Sequence, residues 1–304
     1  MKVALFIPTY NAVSSCYDTF TQTLQTIRDA NLYHVLIIDS SSEDNTVDVV
    51  KSFGFDCRII PKAEFNHGRT RELALELLSD SDIVIYLTQD VLLKDKLSIT
   101  KLVTPLLVDK EVAGCYGRQL PHKTADLFAR HLRKFNYGDQ SYIREYSDRY
   151  IYGMNCVFSS DSFASYRVDV LKRVGGFPKH IIFGEDAYIF AKLLQNGYKV
   201  AYQADAICYH SHNYKIMSDF KRYFDIGVFH RSENWILQDF GHLSKQGIKF
   251  LFSELRFLSI APWLWPKSII KLATKYIGYK FGRNYDKIGV RLCRKFSMNK
   301  DFWQ

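Results

Sequence analysis

Short β-branched runs recur through the first two-thirds of this sequence, and each one stops at polar residues. The run at 3–7 ends in Pro8, Thr9, Tyr10 and Asn11, and the run at 34–38 ends in Asp39 and a Ser/Asp/Asn-rich loop reaching Thr46. The run at 83–87 ends in Thr88, Gln89 and Asp90, and the run at 206–209 ends in His210, Ser211 and His212. Runs of this kind, bounded by turn residues, are the pattern of strands buried in a parallel sheet. An open α/β sheet collects ligands in the crevice beyond the carboxyl ends of its strands. Four strand ends carrying Thr/Asn, Asp, Asp and His therefore predict one polar site assembled from distant segments.

The segments between the runs fit that sheet. A Thr- and Leu-rich helix is predicted from Asn11 to about Ala30. Asp44, Asn45 and Thr46 can cap a helix over 47–53, which Gly54 stops. A strand follows near 57–60, then a helix over 68–79 with Leu73, Leu77 and Leu78 on one face. This βαβαβαβ order implies a parallel, doubly wound sheet. No G-x-G-x-x-G follows the first strand and no P-loop is present, so both familiar phosphate-binding fingerprints are absent. The middle, 91–214, is more mixed: a helix near 97–109, a strand at 113–118, a Tyr/Arg-rich stretch at 130–152 and a helix at 168–174. A turn at Gly175, Gly176 and Phe177 leads to Gly184, which opens a helix with Ala187, Phe190, Ala191 and Leu194 inward. Asn196 and Gly197 end that helix before a last strand over 199–209.

Composition narrows the class. Hydrophobic content of 47% and charged content of 24% over 304 residues exclude a disordered chain. The six cysteines are scattered without a C-x-x-C pair, which argues against a disulfide framework or zinc site and fits a reducing compartment. The first apolar run is broken by Pro8 and is followed by no cleavage site, so it reads as a strand and not a signal peptide. No apolar run approaches the roughly 18 residues of a spanning helix. Charge divides the chain in two. Residues 215–304 hold 17 Lys/Arg against 7 Asp/Glu, a balance of +10, while 1–214 hold 24 against 25, a balance of −1.

Taken in order, the 8–11 strand end, the 39–46 loop, Asp90, Gly175-Gly176-Phe177, Gly184-Glu185-Asp186 and His210 resemble the inverting family 2 glycosyltransferases. The resemblance covers about 1–214. It implies a GT-A fold, a Rossmann-like and mostly parallel central sheet with flanking helices, that binds a nucleotide-diphosphate sugar. Residues 65–71, the Thr-Gln-Asp form at 88–90 and residues 210–213 are most similar to bacterial rhamnosyltransferases, which build O-antigen or capsule from dTDP-rhamnose.

The resemblance also implies roles. Pro8, Thr9, Tyr10, Asn11, Asp39, Arg71, Gln89 and Asp90 fall on the nucleotide-sugar side, with Asp39 accepting from the base. The alternative for Asp39 is an Asx turn with Ser41 and Ser42. Arg71, and less so Arg69, sit where the family keeps a basic residue near the nucleotide; a solvated helix face is the alternative. Asp90 corresponds to the last acid of the family's Asp-x-Asp motif, whose first acid is Thr88 here. With His210 it can hold Mg²⁺ or Mn²⁺ on the diphosphate. Asp186 is the implied general base, with Glu185, Gly176 and His212 on the acceptor side. Acids at a helix N-terminus are also favoured by the helix dipole alone.

The 215–304 part carries two apolar stripes at helical spacing. One holds Ile248, Leu251, Phe252, Leu255 and Leu258; the other holds Ile269, Ile270, Ala273, Tyr276 and Ile277, flanked by Lys267, Lys271, Lys275 and Lys280. Trp263 and Trp265 lie between them. Basic amphipathic helices with interfacial Trp and Tyr are membrane-surface elements; a helical subdomain packed on the core explains the same pattern. The expectation is a cytoplasmic enzyme held peripherally on the inner face of the membrane, acting on a lipid-linked glycan. Competing readings are a donor such as a UDP-hexose, a non-catalytic glycan-binding or scaffold member of the fold, and a nucleic-acid binder, which the acidic strand ends oppose.

Overall fold

The computed structural model describes residues 1–241 and 246–303. Its strands are β1 (Val3–Thr9), β2 (His34–Asp39), β3 (Asp56–Ile59), β4 (Ile83–Leu87), β5 (Leu92–Leu93), β6 (Val112–Leu120), β7 (Tyr142–Arg144), β8 (Phe163–Arg167) and β9 (Lys199–Tyr209). The helices up to β9 are α1 (Ala12–Asp29), α2 (Thr46–Ser52), α3 (His67–Leu77), α4 (Lys96–Val108), α5 (Leu127–Asn136), α6 (Arg149–Tyr152), α7 (Val168–Arg173) and α8 (Glu185–Gln195). Five more follow: α9 (Ile216–Ser232), α10 (Asn234–Phe240), α11 (Gln246–Phe257), α12 (Trp265–Arg283) and α13 (Val290–Phe296).

The sheet runs β3-β2-β1-β4-β8-β6-β9-β5, with β7 also on β9. The first four strands are parallel, as their βα alternation predicts. β8 then inserts antiparallel between β4 and β6, and β6 pairs with β9 in parallel. Nothing in the 163–167 stretch marks it as a central strand: it is short and carries Ser165 and Arg167. The register decides, because Ser165 donates to Leu102 O and Tyr166 enters the core. An antiparallel strand also brings its N-terminal end to the edge where its parallel neighbours end. That reversal carries Asp161 into the crevice.

Side chains alternate across the sheet, as strand geometry requires. Leu5, Ile7 and Ile85 pack on one face with α1 and α4, while Phe6, Val84 and Tyr86 pack on the other with α3 and α8. Of the predicted α3 face, Leu78 is buried in the core and Leu73 packs against it, but Leu77 is exposed, and Arg71, Ala74 and Leu75 also point inward.

The division at 214 is one of charge and not of packing. Phe224, Val228, Phe229, Ile236 and Cys293 belong to the same apolar cluster as the α3 and α8 residues. Farther out, α12 presents the face opposite to the one its hydrophobic pattern predicts for a packed helix. Lys271 is 4% exposed and Ser268 is fully buried, whereas Ile269 is 53% exposed and Ile270 51%. Lys271 is buried against Asp219 at 2.5 Å and donates to Tyr214 O at 2.7 Å. In α11, Glu254 turns inward to Ser268 and His131, while Ile248 and Phe252 face out.

Candidate active site

At the carboxyl end of β1, Thr9 Oγ1 donates to Asp39 Oδ2 at 2.7 Å; Asp39 lies at the end of the paired β2. Ser42 adds its amide at 2.7 Å and its hydroxyl at 2.6 Å to the same carboxylate. Asp39 is fully buried, so it closes the β2 turn through an Asx-type bond. Pro8 pairs with Ile38 in the β1–β2 register. Asn11 takes a left-handed conformation with φ 48°, donating its amide to Ser42 and accepting from Glu43 N. Gln89 clamps the Tyr10 backbone, accepting from its N at 2.8 Å and donating to its O at 3.1 Å. The Lys62 ammonium lies 4.3 Å from the Tyr10 ring centroid and 2.6 Å from its hydroxyl. This end of the crevice therefore offers an aromatic ring and a cation, with Thr9 and Asp39 behind them as framework.

Asp90 follows β4, and His210 follows β9. They meet because β5, just after Asp90, pairs Leu92 with Tyr209. Asp90 Oδ2 lies 3.3 Å from His210 Nε2 and 3.5 Å from His212 Nε2, and those two nitrogens are 3.1 Å apart. All three ligand atoms lie within 4.8 Å of one another. Gln119 donates its amide to Ser160 at 2.8 Å, which leaves its carbonyl to accept from His210 Nδ1 at 2.9 Å. That bond fixes the tautomer and directs the Nε2 lone pair at Asp90, as in metal-ligating histidines. Burial pushes the His212 pKa down to about 4 and lowers His210 as well. Burial raises Asp90, but its contacts with His210 and His212 outweigh it and hold the carboxyl below its usual range. Two neutral imidazoles and a carboxylate converging on one point suit a divalent cation.

The second cluster surrounds Arg71. Asn66 caps α3 by accepting from the Gly68 and Arg69 amides and donates to Ile181 O, which fixes the start of the helix. From there Arg71 points inward, with Nη1 2.9 Å from Glu185 and Nε 3.1 Å from Asp161. The Asp161 contact is an ion pair without hydrogen-bond geometry. Arg71 Nη1 also donates to His67 O at 3.1 Å. The guanidinium expected near the nucleotide is thus taken up by two carboxylates. Asp186 is half-buried, and its own carboxylate accepts the Ala187 amide at 2.7 Å. Gly184 precedes these acids at φ 79°, where a Cβ would meet the Phe229 ring at 2.7 Å.

One arginine faces three acids, and their pKa values separate. Burial raises Glu185, but Arg71 and His67 more than offset it and lower the carboxyl. Burial dominates for Asp161, pushing it up to about 6. Asp186 is pushed furthest, to about 8, by burial and by the charges of Glu185 and Asp161. Such separation is how a protein makes one carboxylate a strong base beside another that stays ionised.

Gly176 stands apart from both clusters. Its amide donates to Leu171 O, and the following Phe177 amide donates to Glu72 at 2.7 Å. At φ 67° a Cβ there would sit 2.2 Å from the Glu72 carboxylate. The turn uses both amides, so neither is open to an acceptor sugar. His212, expected on the acceptor side, stands with Asp90 and His210. Asp161, Glu72 and Gln119 escaped the sequence reading: each lies outside a motif, and only strand order or tertiary packing brings it in.

A doubly wound sheet that gathers polar residues at its carboxyl edge, with an antiparallel strand set into its centre, is the arrangement of the GT-A fold. Residues 4–175 match the family described as Glycosyl transferase family 2, and the chain belongs to that family as a glycosyltransferase. It is 40% identical over 301 residues to the O-antigen chain rhamnosyltransferase WbaN of Salmonella anatum, covering 98% of this chain and 95% of that protein. It is 41% identical over 307 residues to RfbN, an O-antigen chain rhamnosyltransferase of Salmonella typhimurium, covering 100% and 96%. Among solved structures, the mannosyltransferase PcManGT of Pyrobaculum calidifontis, in complex with GDP-Man and Mn²⁺, superposes with a TM-score of 0.57 at 16% identity. That match covers 99% of this chain and 84% of the other. TarS of S. aureus in complex with UDP gives 0.53 at 15% identity, covering 94% and 91%. At these identities the solved structures establish the shared GT-A fold.

Proposed function

We propose that the protein transfers L-rhamnose, with inversion, from dTDP-L-rhamnose onto a lipid-linked polysaccharide acceptor of O-antigen synthesis. The observation that carries the reaction type is the raised Asp186 carboxyl beside an ionised Glu185–Arg71 pair. Asp186 takes the proton of the acceptor hydroxyl. The hydroxyl oxygen bonds to the anomeric carbon as that carbon's bond to the diphosphate oxygen breaks. Glu185, held by Arg71, keeps Asp186 basic and fixes the start of α8. Asp90, His210 and His212 have the donor set for Mg²⁺ or Mn²⁺, which when bound neutralises charge on the diphosphate. Pro8, Asn11 and Gln89 shape the nucleoside end together with Thr9 and Asp39, and Tyr10 and Lys62 face the ligand. The full-length likeness to two O-antigen rhamnosyltransferases supports the sugar and the acceptor class.

A panel of nucleotide sugars tests this by thermal shift and by transfer assay with Mn²⁺. The expected result is stabilisation and turnover with dTDP-L-rhamnose above all others. Selective turnover with a UDP-hexose would move the donor assignment, and binding without turnover of any donor would favour a scaffold role.

A peripheral seat on the inner membrane face, from the cytoplasm, is the second part of the proposal. Among the described residues no helix is long and apolar enough to cross a membrane. Yet Phe252, Trp263, Ile270, Tyr276 and Ile277 face outward from α11, α12 and the turn between them, with Lys267 and Lys280 exposed beside them. Apolar and aromatic side chains interleaved with lysines suit an anionic lipid surface, where a lipid-linked acceptor resides.

A further inference from the structure

Asp161, Glu185 and Asp90 set carboxylates along the crevice that a diphosphate must enter, and Asp186 adds its charge once ionised. Of two nearby cations, Arg71 is taken up by Asp161 and Glu185, while Lys62 stands at the nucleoside end beside Tyr10. A third cation comes from the C-terminal part. The Arg222 guanidinium carbon, on α9, lies 4.9 Å from the Phe183 ring centroid and 5.6 Å from that of Tyr214. Phe183 immediately precedes the Gly184-Glu185-Asp186 turn. The Tyr214 ring in turn lies 5.3 Å from that of His212. Arg222 is therefore seated between the base-bearing turn and the histidine trio.

Its hydrogen-bonding state is unusual for a half-buried arginine. Among the described residues no carboxylate lies within ion-pair distance, and its single hydrogen bond is a long 3.4 Å contact to the Tyr214 hydroxyl. Two aromatic faces hold the guanidinium in place through cation–π contact and leave most of its N–H donors unused. A planar fork with open donors, fixed beside a candidate cation site, is chemically matched to phosphate oxygens.

We propose that Arg222 is a diphosphate-binding residue, so that the helix after residue 214 completes the donor site of the catalytic core. The proposal rests on the glycosyltransfer reading above.

Isothermal titration of dTDP with Mn²⁺ into the full-length protein tests it, with thymidine as the probe lacking phosphate. Arg222→Gln should bind dTDP about tenfold or more weakly, the loss expected for a charge-assisted bond, and bind thymidine as the wild type does. Arg222→Lys should recover part of the loss, and Lys221→Gln, one residue away, should match the wild type. Phenylglyoxal labelling of wild-type Arg222 gives an independent measurement, in which dTDP and Mn²⁺ should protect the residue. Equal dTDP affinity in Arg222→Gln, or labelling unchanged by dTDP, overturns the assignment. A wild type that binds none of dTDP, UDP and GDP would instead overturn the donor-site reading beneath it.

Discussion

Helices α8 and α12 are built on opposite polarities. α8 buries Ile189, Phe190, Leu193 and Leu194 and delivers two acids at its N-terminus to the crevice. α12 buries Ser268, Lys271, Lys275, Gly278 and Gly282 and sends Ile269, Ile270, Tyr276 and Ile277 outward. The inverted arrangement is stable because its polar face is satisfied. Lys271 has Asp219 and the Tyr214 carbonyl, Ser268 has Glu254, and Lys275 lies 4.9 Å from the Phe250 ring centroid. Small residues let α9 approach closely: a Cβ on Gly278 would lie 2.4 Å from Phe220 O. In water the outward apolar face forgoes about 25 cal/mol for each Å² left unburied. Under the proposed membrane seat, this outward face of α12 is the one that meets lipid, whereas α8 packs its apolar residues within the core.

The largest expected effect falls on α8. Asp186→Asn should lower turnover by roughly 10²–10⁴-fold, the usual range for a general base, with dTDP binding retained. Steady-state kinetics and titration of dTDP check both halves. The wild-type rate should climb with pH through the raised Asp186 pKa of about 8, because the base acts ionised. Stability should move the other way. The folded carboxyl holds its proton to about 8, against an ordinary value of 3.8. The folded state therefore binds more protons than the unfolded across that window and loses stability as pH rises. Asp186→Asn should flatten this loss, giving a higher melting temperature than wild type above neutral pH. A variant that keeps wild-type turnover would transfer the role to Glu185.

Next in size are the proposed metal ligands. Asp90→Ala should abolish any stimulation by Mn²⁺ or Mg²⁺, with His210→Ala milder. Gln119→Leu, which removes the bond that orients His210, should weaken Mn²⁺ affinity by roughly 10–100-fold, as second-shell changes do. Full wild-type activity in excess EDTA would remove the metal from the mechanism.

The contrast also explains what the sequence made legible. The parallel half of the sheet was readable because β-branched runs at 3–7, 34–38 and 83–87 are dictated by burial on both faces. Asp90, His210, Glu185 and Asp186 were readable because they end or begin such elements. β8 was not, since an antiparallel strand of five residues with Ser165 and Arg167 has no pattern of its own. Asp161 was lost with it. Arg71 was read as facing the nucleotide because sequence cannot show that Asp161 will arrive beside it. In α12 the hydrophobic stripe was legible, but its direction was not. The same periodicity serves a helix packed inward and one packed outward, and only Asp219, fifty-two positions away, decides that Lys271 goes in.

The buried face of α12 should be the costly one to alter. Lys271→Ala leaves the Asp219 carboxylate buried without its partner, and breaking such a pair costs roughly 3–5 kcal/mol. Chemical denaturation should show this loss, while Lys271→Ala with Asp219→Ala should recover much of it. A single variant that unfolds like wild type would mean that the pair does not anchor the helix.

The outward face gives the smallest effect on the protein and the sharpest test of the comparison. Ile277 is 47% exposed and Trp263 is 74% exposed, so Ile277→Ser and Trp263→Ser remove little packing. Surface changes away from buried networks stay within about 0.5 kcal/mol, and unfolding midpoints should be nearly unchanged. Binding to vesicles containing anionic lipid should respond differently. Burying a large apolar side chain in an interface is worth roughly 1.5–3 kcal/mol when complete, so the double variant should sediment with vesicles about tenfold less well. Wild-type binding should also weaken with salt, because screening acts over about 8 Å at physiological ionic strength and the lysines lie at the surface. If the intact protein stays in the supernatant with anionic vesicles at low salt, the outward stripe has another partner. The inverted polarity of α12 would then point to contact with protein in place of lipid.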